Sequence, residues 1–194
     1  MAVKEENEVT VKVICTKEEL LNCLLEKGFK KGETFSLDDY YYIPSGLNIE
    51  KMSVREILSK TIILRYIVHG DIVTQIITFK IKNIDDDGNI INQRAINCNV
   101  YDIDEAKNLF KSIGYYEIMN LKEEDVIYYK DGFELALKFV KNRDILIEIE
   151  TEANTQWDTI DNIKNILLQL NIPIEKDNFF VKKAENELKK ILKR

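Results

Sequence analysis

The sequence has little histidine and cysteine, and each shortage excludes a kind of site. Its single histidine, His69, lies in a predicted turn, so a histidine-based metal site is excluded and any metal must be held by oxygen ligands. The three cysteines, Cys15, Cys23 and Cys98, are odd in number and lack the spacing of a metal knuckle. We interpret them as reduced thiols, which are typical of a cytosolic protein.

The chain also lacks a long apolar run and an excess of positive charge. No stretch of about 18 apolar residues occurs, so no membrane span is predicted. The segment from Met1 to Glu8 is charged rather than apolar and does not resemble a secretory signal, so we predict a soluble, cytoplasmic protein. The formal net charge of -6 argues against a nucleic-acid partner. A basic interior inside an acidic shell remains compatible with that charge.

What the chain does contain is an ordinary globular composition. It has 194 residues, of which 45% are hydrophobic and 32% are charged, which argues against disorder. That length is enough for one domain with a sizeable core, and no linker or low-complexity segment divides it. We therefore predict a single domain over residues 1–194.

Apolar periodicity predicts an alternation of strands and helices. Period-two alternation and turn residues predict strands near 8–15, 33–43, 61–68, 72–82, 90–101, 117–129, 133–140 and 144–151. Capping boxes at Thr16 and Ser53 begin two helices, and a third runs from Asp104 to Gly114. Two apolar stripes, one starting at Trp157 and one around Leu188, predict a helical tail over 155–194.

These elements predict an α+β fold with a faint internal repeat. A helix, a glycine, an aromatic residue and a strand follow one another at Gly28-Phe29 and again at Gly114-Tyr115. Short turns, such as the one at 85–88, imply antiparallel pairing. About eight such strands can close into a tunnel-like barrel over residues 6–151, with the helices packed outside.

One face of the first and last predicted strands is charged. Glu8, Thr10 and Lys12 share a face of the first strand, and Glu148 and Glu150 share a face of the last. Two interpretations stay open at this point. The charged faces are solvated, as in many antiparallel sheets, or the sheet curls and they line an interior that holds a ligand and a hard cation.

Six charged segments follow the chain order of a known family. They are Glu8-Val9-Thr10-Val11-Lys12, Asp38-Asp39-Tyr40-Tyr41-Tyr42-Ile43-Pro44, Leu64-Arg65-Tyr66-Ile67, Thr78-Phe79-Lys80, Arg94 and Glu148-Ile149-Glu150. With this set the sequence resembles the CYTH family, the triphosphate tunnel metalloenzymes, over residues 6 to 151. That family includes thiamine triphosphatase, inorganic triphosphatases and class IV adenylyl cyclases.

The resemblance implies roles for individual residues. Glu148 and Glu150, assisted by Glu8, would hold Mg²⁺ or Mn²⁺. Basic side chains would bind the triphosphate, and those implied are Lys12, Arg65, Lys80 and Arg94, with Lys82 and Lys122 as weaker candidates. Lys12, Arg65 and Glu148 would also act in catalysis, because spread positive charge stabilises a transferring phosphoryl group.

The sequence departs from the family pattern at several positions. Residues of another type stand where the family has charged ones, namely Thr10, Ile67, Ile96, Cys98, Glu124 and Lys138. The resemblance therefore implies metal-dependent hydrolysis of an inorganic, thiamine or nucleoside triphosphate, with two alternatives. One is a polyphosphate-binding protein that has lost turnover, and the other is a class IV-type adenylyl cyclase.

Two further questions stay open from the sequence. Glu148 and Glu150 could instead form a structural ion network with Lys138 and Lys12. The predicted partner is a triphosphate-containing small molecule, and the pattern leaves a homodimer open.

Overall fold

The computed structural model describes residues 6–84, 90–140, 144–152 and 159–194. The strands are β1 Glu6–Lys12, β2 Lys30–Pro44, β3 Ile62–His69, β4 Ile72–Ile84, β5 Ile90–Asn99, β6 Tyr115–Lys130, β7 Phe133–Val140 and β8 Ile145–Glu152. The helices are α1 Lys17–Glu26, α2 Val54–Ser59, α3 Ile103–Ser112, α4 Ile160–Gln169 and α5 Lys183–Leu192, with a 3-10 turn at Ile49–Lys51. The predicted turn at 85–88 and Trp157 lie outside the described residues.

The eight strands form one sheet in the order β1-β8-β7-β6-β2-β3-β4-β5. The pairings β1–β8, β2–β3, β3–β4, β6–β7 and β7–β8 are all antiparallel. The predicted α+β class with eight antiparallel strands is confirmed. Within the described residues, backbone hydrogen bonds do not close the sheet between its edge strands β1 and β5. This architecture is consistent with the predicted tunnel-like barrel with helices outside.

Local sequence signals explain where the helices begin and end. Thr16 caps α1 and Ser53 caps α2, and in each helix a glutamate three residues later completes the capping box. Gly28 and Gly114 follow α1 and α3 with φ of 81° and 84°, a conformation that favours glycine. The internal repeat predicted around these two glycines is therefore present in the local structure. No helix in the described part of the chain is long and apolar enough to cross a membrane.

The chain divides into two compact units, each assembled from separate segments. The first consists of Met1–Phe35, Lys82–Arg94 and Glu123–Val181, and the second of Ser36–Ile81, Ala95–Lys122 and Lys182–Arg194. In the first unit, the apolar faces of β1, β7 and β8 pack against residues of α1 and α4, such as Leu24 and Leu167. In the second unit, Tyr42 and Leu64 pack against Ala106 and Phe110 of α3.

Candidate functional site

Strand register determines which side chains of the first unit share a face. Glu8 lies opposite Glu150 and Thr10 lies opposite Glu148 in the β1–β8 pair. The alternate residues, such as Val9 and Ile147, are completely buried in the apolar core. The predicted division of these two strands into a charged and an apolar face is therefore correct.

Burial distinguishes between the two interpretations of the charged face in this unit. Thr10 is only 5% exposed, Glu123 and Asp125 are each 6% exposed, and Lys138 is 9% exposed. A solvated sheet face would leave such side chains in water, because burying a charge is costly unless it is paired. Glu123, Asp125 and Lys138 are therefore held inside the protein, whereas Glu150 on the same face is exposed.

Lys138 is the centre of the buried charged cluster. Its Nζ lies 2.9 Å from Oδ2 of Asp125 and 2.8 Å from Oε1 of Glu148. Asp125 lies directly opposite Lys138 in the β6–β7 pair, whereas Glu148 lies opposite Ala136, two residues before Lys138. The ion pair between Glu148 and Lys138, one of the alternatives that the sequence left open, is therefore present. Asp125 forms a second ion pair with the same lysine.

The surroundings of Lys138 keep its ammonium protonated. Burial by itself lowers the pKa of Lys138, because it disfavours the charged form. The attraction of Glu148, Asp125 and Glu123 outweighs burial and holds the pKa well above the ordinary 10.5. The cluster therefore contains a fixed positive charge among carboxylates.

Glu8 is held by two hydrogen bonds. Its Oε1 accepts from the Thr10 hydroxyl at 3.2 Å, and its Oε2 accepts from the Gln93 amide at 2.7 Å. Gln93 lies on β5, so this contact brings the two edge strands of the sheet together. Because successive residues of a strand alternate, Arg94 lies on the other face of β5 from Gln93, and its side chain is exposed.

Lys12 pairs with a different acid from the one considered in the sequence. Its Nζ lies 2.9 Å from Oδ1 of Asp144, just before β8, and the lysine side chain is 34% exposed. The hydrogen bond to Asp144 raises the pKa of Lys12, against a smaller lowering by burial. Lys12 therefore stays positively charged on the same strand face as Glu8 and Thr10.

In the second unit, Arg65 forms a two-pronged ion pair with Asp39. The arginine Nε lies 2.7 Å from Oδ1, and Nη2 lies 2.6 Å from Oδ2. The two residues are direct partners in the β2–β3 register, and Asp39 is 1% exposed. Arg65 lies in an otherwise apolar strand, and the structure shows that its guanidinium is paired with a carboxylate.

Lys122 lies on the opposite face from Arg65. Its Nζ is 2.9 Å from Oδ2 of Asp38, which also accepts from the Tyr40 hydroxyl at 2.8 Å and from the Asn120 amide. Asp38 and Asp39 are neighbours in β2 and therefore point to opposite faces. The structure does not bring the weaker candidate Lys122 together with Arg65.

The other predicted residues differ in their surroundings. Thr78 is buried and lies opposite Ile63, so Lys80 two residues later is on the Arg65 face of the second unit, where it is half-buried. Lys82 and Glu150 are exposed.

The residues that depart from the family pattern are mostly outside any charged cluster. Ile96 is 44% exposed and Cys98 is exposed, while Ile67 is half-buried. Glu124 lies 3.8 Å from Lys17 in an exposed pair. Thr10 and Lys138 are the exceptions, since both contact carboxylates that the resemblance assigned to a metal.

The donors present do not fit a divalent cation. Mg²⁺ needs oxygen ligands at about 2.0–2.1 Å, yet Oε1 of Glu148 already lies at hydrogen-bond distance from an ammonium, and both oxygens of Glu8 accept hydrogen bonds. Among the described residues, no group of three or more His, Cys, Asp and Glu side chains could hold a metal. The predicted Mg²⁺ or Mn²⁺ therefore enters no step of the function proposed below.

Sequence reasoning missed Asp125, Gln93 and Asp39. Asp125 had a usable signal, because the tight turn between β6 and β7 places it opposite Lys138. Gln93 had none, because its partner Glu8 is 85 residues away and on a strand that is not its backbone neighbour.

Solved structures share this fold at low sequence identity. The PH1819 protein of Pyrococcus horikoshii OT3 has a TM-score of 0.71 and 19% identity, and the match covers 95% of this chain and 99% of that chain. A candidate adenylate cyclase from Vibrio parahaemolyticus has a TM-score of 0.64 and 15% identity over 100% of both chains.

A third structure connects the fold with an activity in another protein. A candidate adenylyl cyclase from Hippeastrum, described by its dominant triphosphatase activity, has a TM-score of 0.55 and 12% identity, with 89% of this chain and 90% of that chain covered. No protein-family profile and no curated protein matches the sequence.

The chain thus shares its fold with solved structures that include a candidate adenylate cyclase and a protein with triphosphatase activity. This agrees with the ordered charged segments, and the resemblance to the CYTH family is confirmed at the level of the fold, as expected of a divergent member.

Proposed function

We propose that this protein binds a small molecule that carries a triphosphate group, through the charged strand faces described above. The observation that carries the proposal is the burial of charged side chains on the strand faces turned away from the helices, with Lys138 only 9% exposed and Asp39 only 1% exposed. Each of these charges has a partner of opposite sign, but a buried ion pair contributes little net stability, so its presence favours a role beyond folding. Perturbed buried charges are, in addition, typical of functional sites.

The chemistry of the basic residues fits phosphate oxygens. The charged face of each unit is a separate candidate site, with Lys12 on the face of the first unit and Arg65 and Lys80 on the face of the second. Ammonium and guanidinium groups form strong charge-assisted hydrogen bonds with phosphate. The fold neighbours support the same class of ligand, since adenylate cyclases and triphosphatases both act on triphosphates.

Hydrolysis of the triphosphate is the second candidate function. The dominant triphosphatase activity of the Hippeastrum protein favours it. Hydrolysis ranks below binding, because the ammonium of Lys138 is paired with the carboxylate of Glu148, to which the resemblance assigns a role in catalysis. Cyclisation of ATP ranks third, because no described contact selects an adenine base.

The test is thermal unfolding with tripolyphosphate, ATP or thiamine triphosphate, each with magnesium or with EDTA. A ligand at about 100 times its dissociation constant adds about 2.7 kcal/mol to the free energy of unfolding, which raises Tm by several degrees. Released phosphate and cyclic AMP are assayed in the same samples. We expect a rise in Tm with little release of either product.

Matched lysine variants connect the shift to the site. Lys12→Gln tests the face of the first unit and Lys80→Gln tests the face of the second, and the variant that removes a cation from the face that binds the ligand is expected to reduce the ligand-induced rise in Tm. Lys111→Gln on α3 removes an exposed lysine and is expected to keep the full rise. Absence of a rise for all three ligands would disprove the proposed function, and phosphate release that keeps pace with binding would replace binding by hydrolysis.

A further inference from the structure

We propose that the ammonium of Lys138 is a built-in counter-ion that stands where a divalent cation would have to bind, so that the protein needs no metal to bind its ligand. The first part of this inference depends only on the geometry of the Lys138 cluster. The second part rests on the proposed function. The two parts are therefore tested by separate measurements.

The position of the ammonium excludes a second cation between the same carboxylates. Nζ of Lys138 lies 2.8 Å from Oε1 of Glu148 and 2.9 Å from Oδ2 of Asp125. A divalent ion bound to both oxygens at about 2.0–2.6 Å would have to occupy the same place. An ion at a neighbouring position would be repelled by a positive charge only a few ångströms away.

Strand register holds the ammonium at this position. Asp125 is the direct partner of Lys138 across β6–β7, and Glu148 is reached diagonally, past Ala136. Diagonal neighbours of this kind are within reach of a long side chain, and Ala136 has only a methyl group to obstruct it. The cluster is therefore built into the pairing of β6, β7 and β8 and does not depend on a mobile loop.

Burial makes the counter-ion necessary. The side chains of Lys138, Asp125 and Glu148 are 11%, 8% and 15% exposed. Without a cation these carboxylates would have to take up protons or bind a positive ion. Replacing Lys138 by a small neutral residue should therefore create a cation site that the native protein does not have.

The first measurement is Mn²⁺ binding. Electron paramagnetic resonance reports the concentration of the free ion, and Tm reports the stabilisation on binding. We expect Lys138→Ala to bind one Mn²⁺ at least 10-fold more tightly than the native protein, with a rise in Tm on adding the ion. The double variant Lys138→Ala, Glu148→Gln should lose that site. Lys164→Ala, which removes a lysine paired with Asp161 elsewhere in the first unit, should behave like the native protein.

Two results would overturn the proposal that Lys138 is a counter-ion. One is a folded Lys138→Ala variant that gains no Mn²⁺ site. The other is a native protein that binds Mn²⁺ in a way that Glu148→Gln abolishes, which is measurable even where Lys138→Ala does not fold. Lys138→Gln is a second variant in which a gain of Mn²⁺ binding is expected, because it removes the charge but keeps a long polar side chain.

The second measurement compares tripolyphosphate binding with and without metal. We expect the native protein to show at least as large a rise in Tm in EDTA as in magnesium. A rise that requires magnesium would overturn the metal independence. If neither condition gives a rise, the proposed function has failed, whereas the Mn²⁺ comparison still decides whether Lys138 is a counter-ion.

Discussion

Charged side chains of both units are neutralised by a partner across a strand pair. Asp39 and Arg65 face each other across β2–β3, as Asp125 and Lys138 do across β6–β7. In each pair one member is almost completely shielded from water. Because a buried charge left without its partner is far more costly than a lost surface ion pair, replacing one member of such a pair should destabilise the protein more than replacing both.

The Asp39–Arg65 pair gives a direct test of this asymmetry. Arg65→Met leaves the carboxylate of Asp39, which is 1% exposed, without its two-pronged partner. We expect the free energy of unfolding to fall by about 3–5 kcal/mol, the usual cost of breaking a buried pair. Urea denaturation at neutral pH measures this value.

The control for this prediction removes the stranded charge as well. The double variant Asp39→Asn, Arg65→Met should recover part of the lost free energy, because no ionised carboxylate then remains buried. A loss below about 1 kcal/mol for Arg65→Met would contradict the prediction and place the pair among ordinary surface ion pairs.

At the scale of elements, α5 and the residues after it contact the segment around α2. Arg55 of α2 lies 3.2 Å from Glu185 of α5. The Arg194 guanidinium donates to the backbone carbonyls of Met52 at 2.7 Å and Ile49 at 2.9 Å. Ile49 begins the 3-10 turn, where its carbonyl also accepts from the Met52 N–H, and Met52 follows the turn, so one side chain is anchored at both ends of this segment.

Arg194→Ala should therefore loosen this part of the second unit. We expect a loss of about 1 kcal/mol in the free energy of unfolding, typical of removing such hydrogen bonds. Amide hydrogen exchange should become faster in the segment 49–60, because that backbone loses an anchor.

Lys190→Ala removes an exposed lysine of α5, just before Arg194 in the chain, and serves as the matched control. It should leave exchange in segment 49–60 unchanged. Equal acceleration in both variants would show that α5 itself, and not the Arg194 contacts, holds this segment.

At the scale of the whole molecule, stability in acid should depend on Asp38. Burial raises the pKa of Asp38, but hydrogen bonds from Asn120, Lys122 and Tyr40 together outweigh it and place the pKa below the ordinary 3.8. A depressed pKa means that the folded state favours the ionised carboxylate. Its contribution to stability is therefore complete above pH 3.8 and is lost as the pH falls through the folded-state value.

Asp38→Asn isolates this contribution. The difference in the free energy of unfolding between the native protein and the variant should be constant from neutral pH down to about pH 5, and should shrink below the ordinary pKa. Urea denaturation at a series of pH values measures it. A difference that stays constant down to pH 2.5 would show that ionisation of Asp38 contributes nothing to stability.

Short-range patterns explain which parts of the fold could be predicted. The alternation Glu8-Val9-Thr10 and the segment Ile147-Glu148-Ile149 determine their own faces, because strand side chains alternate regardless of the partner strand. The capping boxes at Thr16 and Ser53 determined the helix starts for the same local reason.

Long-range pairing explains what could not be predicted. Lys138 could be recognised as a departure from the family pattern, but its contact with both Asp125 and Glu148 depends on the register of three strands. Arg65 and Asp39 are 26 residues apart and become partners only in the β2–β3 pair. Turn geometry sets the register of strands joined by tight turns, but it does not give the partners of strands joined by longer connections, such as β2 and β3.

The sequence by itself determined the α+β class, the helix boundaries and the charged face of each strand, because these depend on residues a few positions apart. Only the tertiary structure decided which of the charges are buried and which acid neutralises Lys138, Arg65 and Lys12. The physical reason is that burial and ion pairing depend on the order and register of the strands, which bring together residues far apart in the chain. For this protein, that order places an ammonium where the family resemblance predicted a metal.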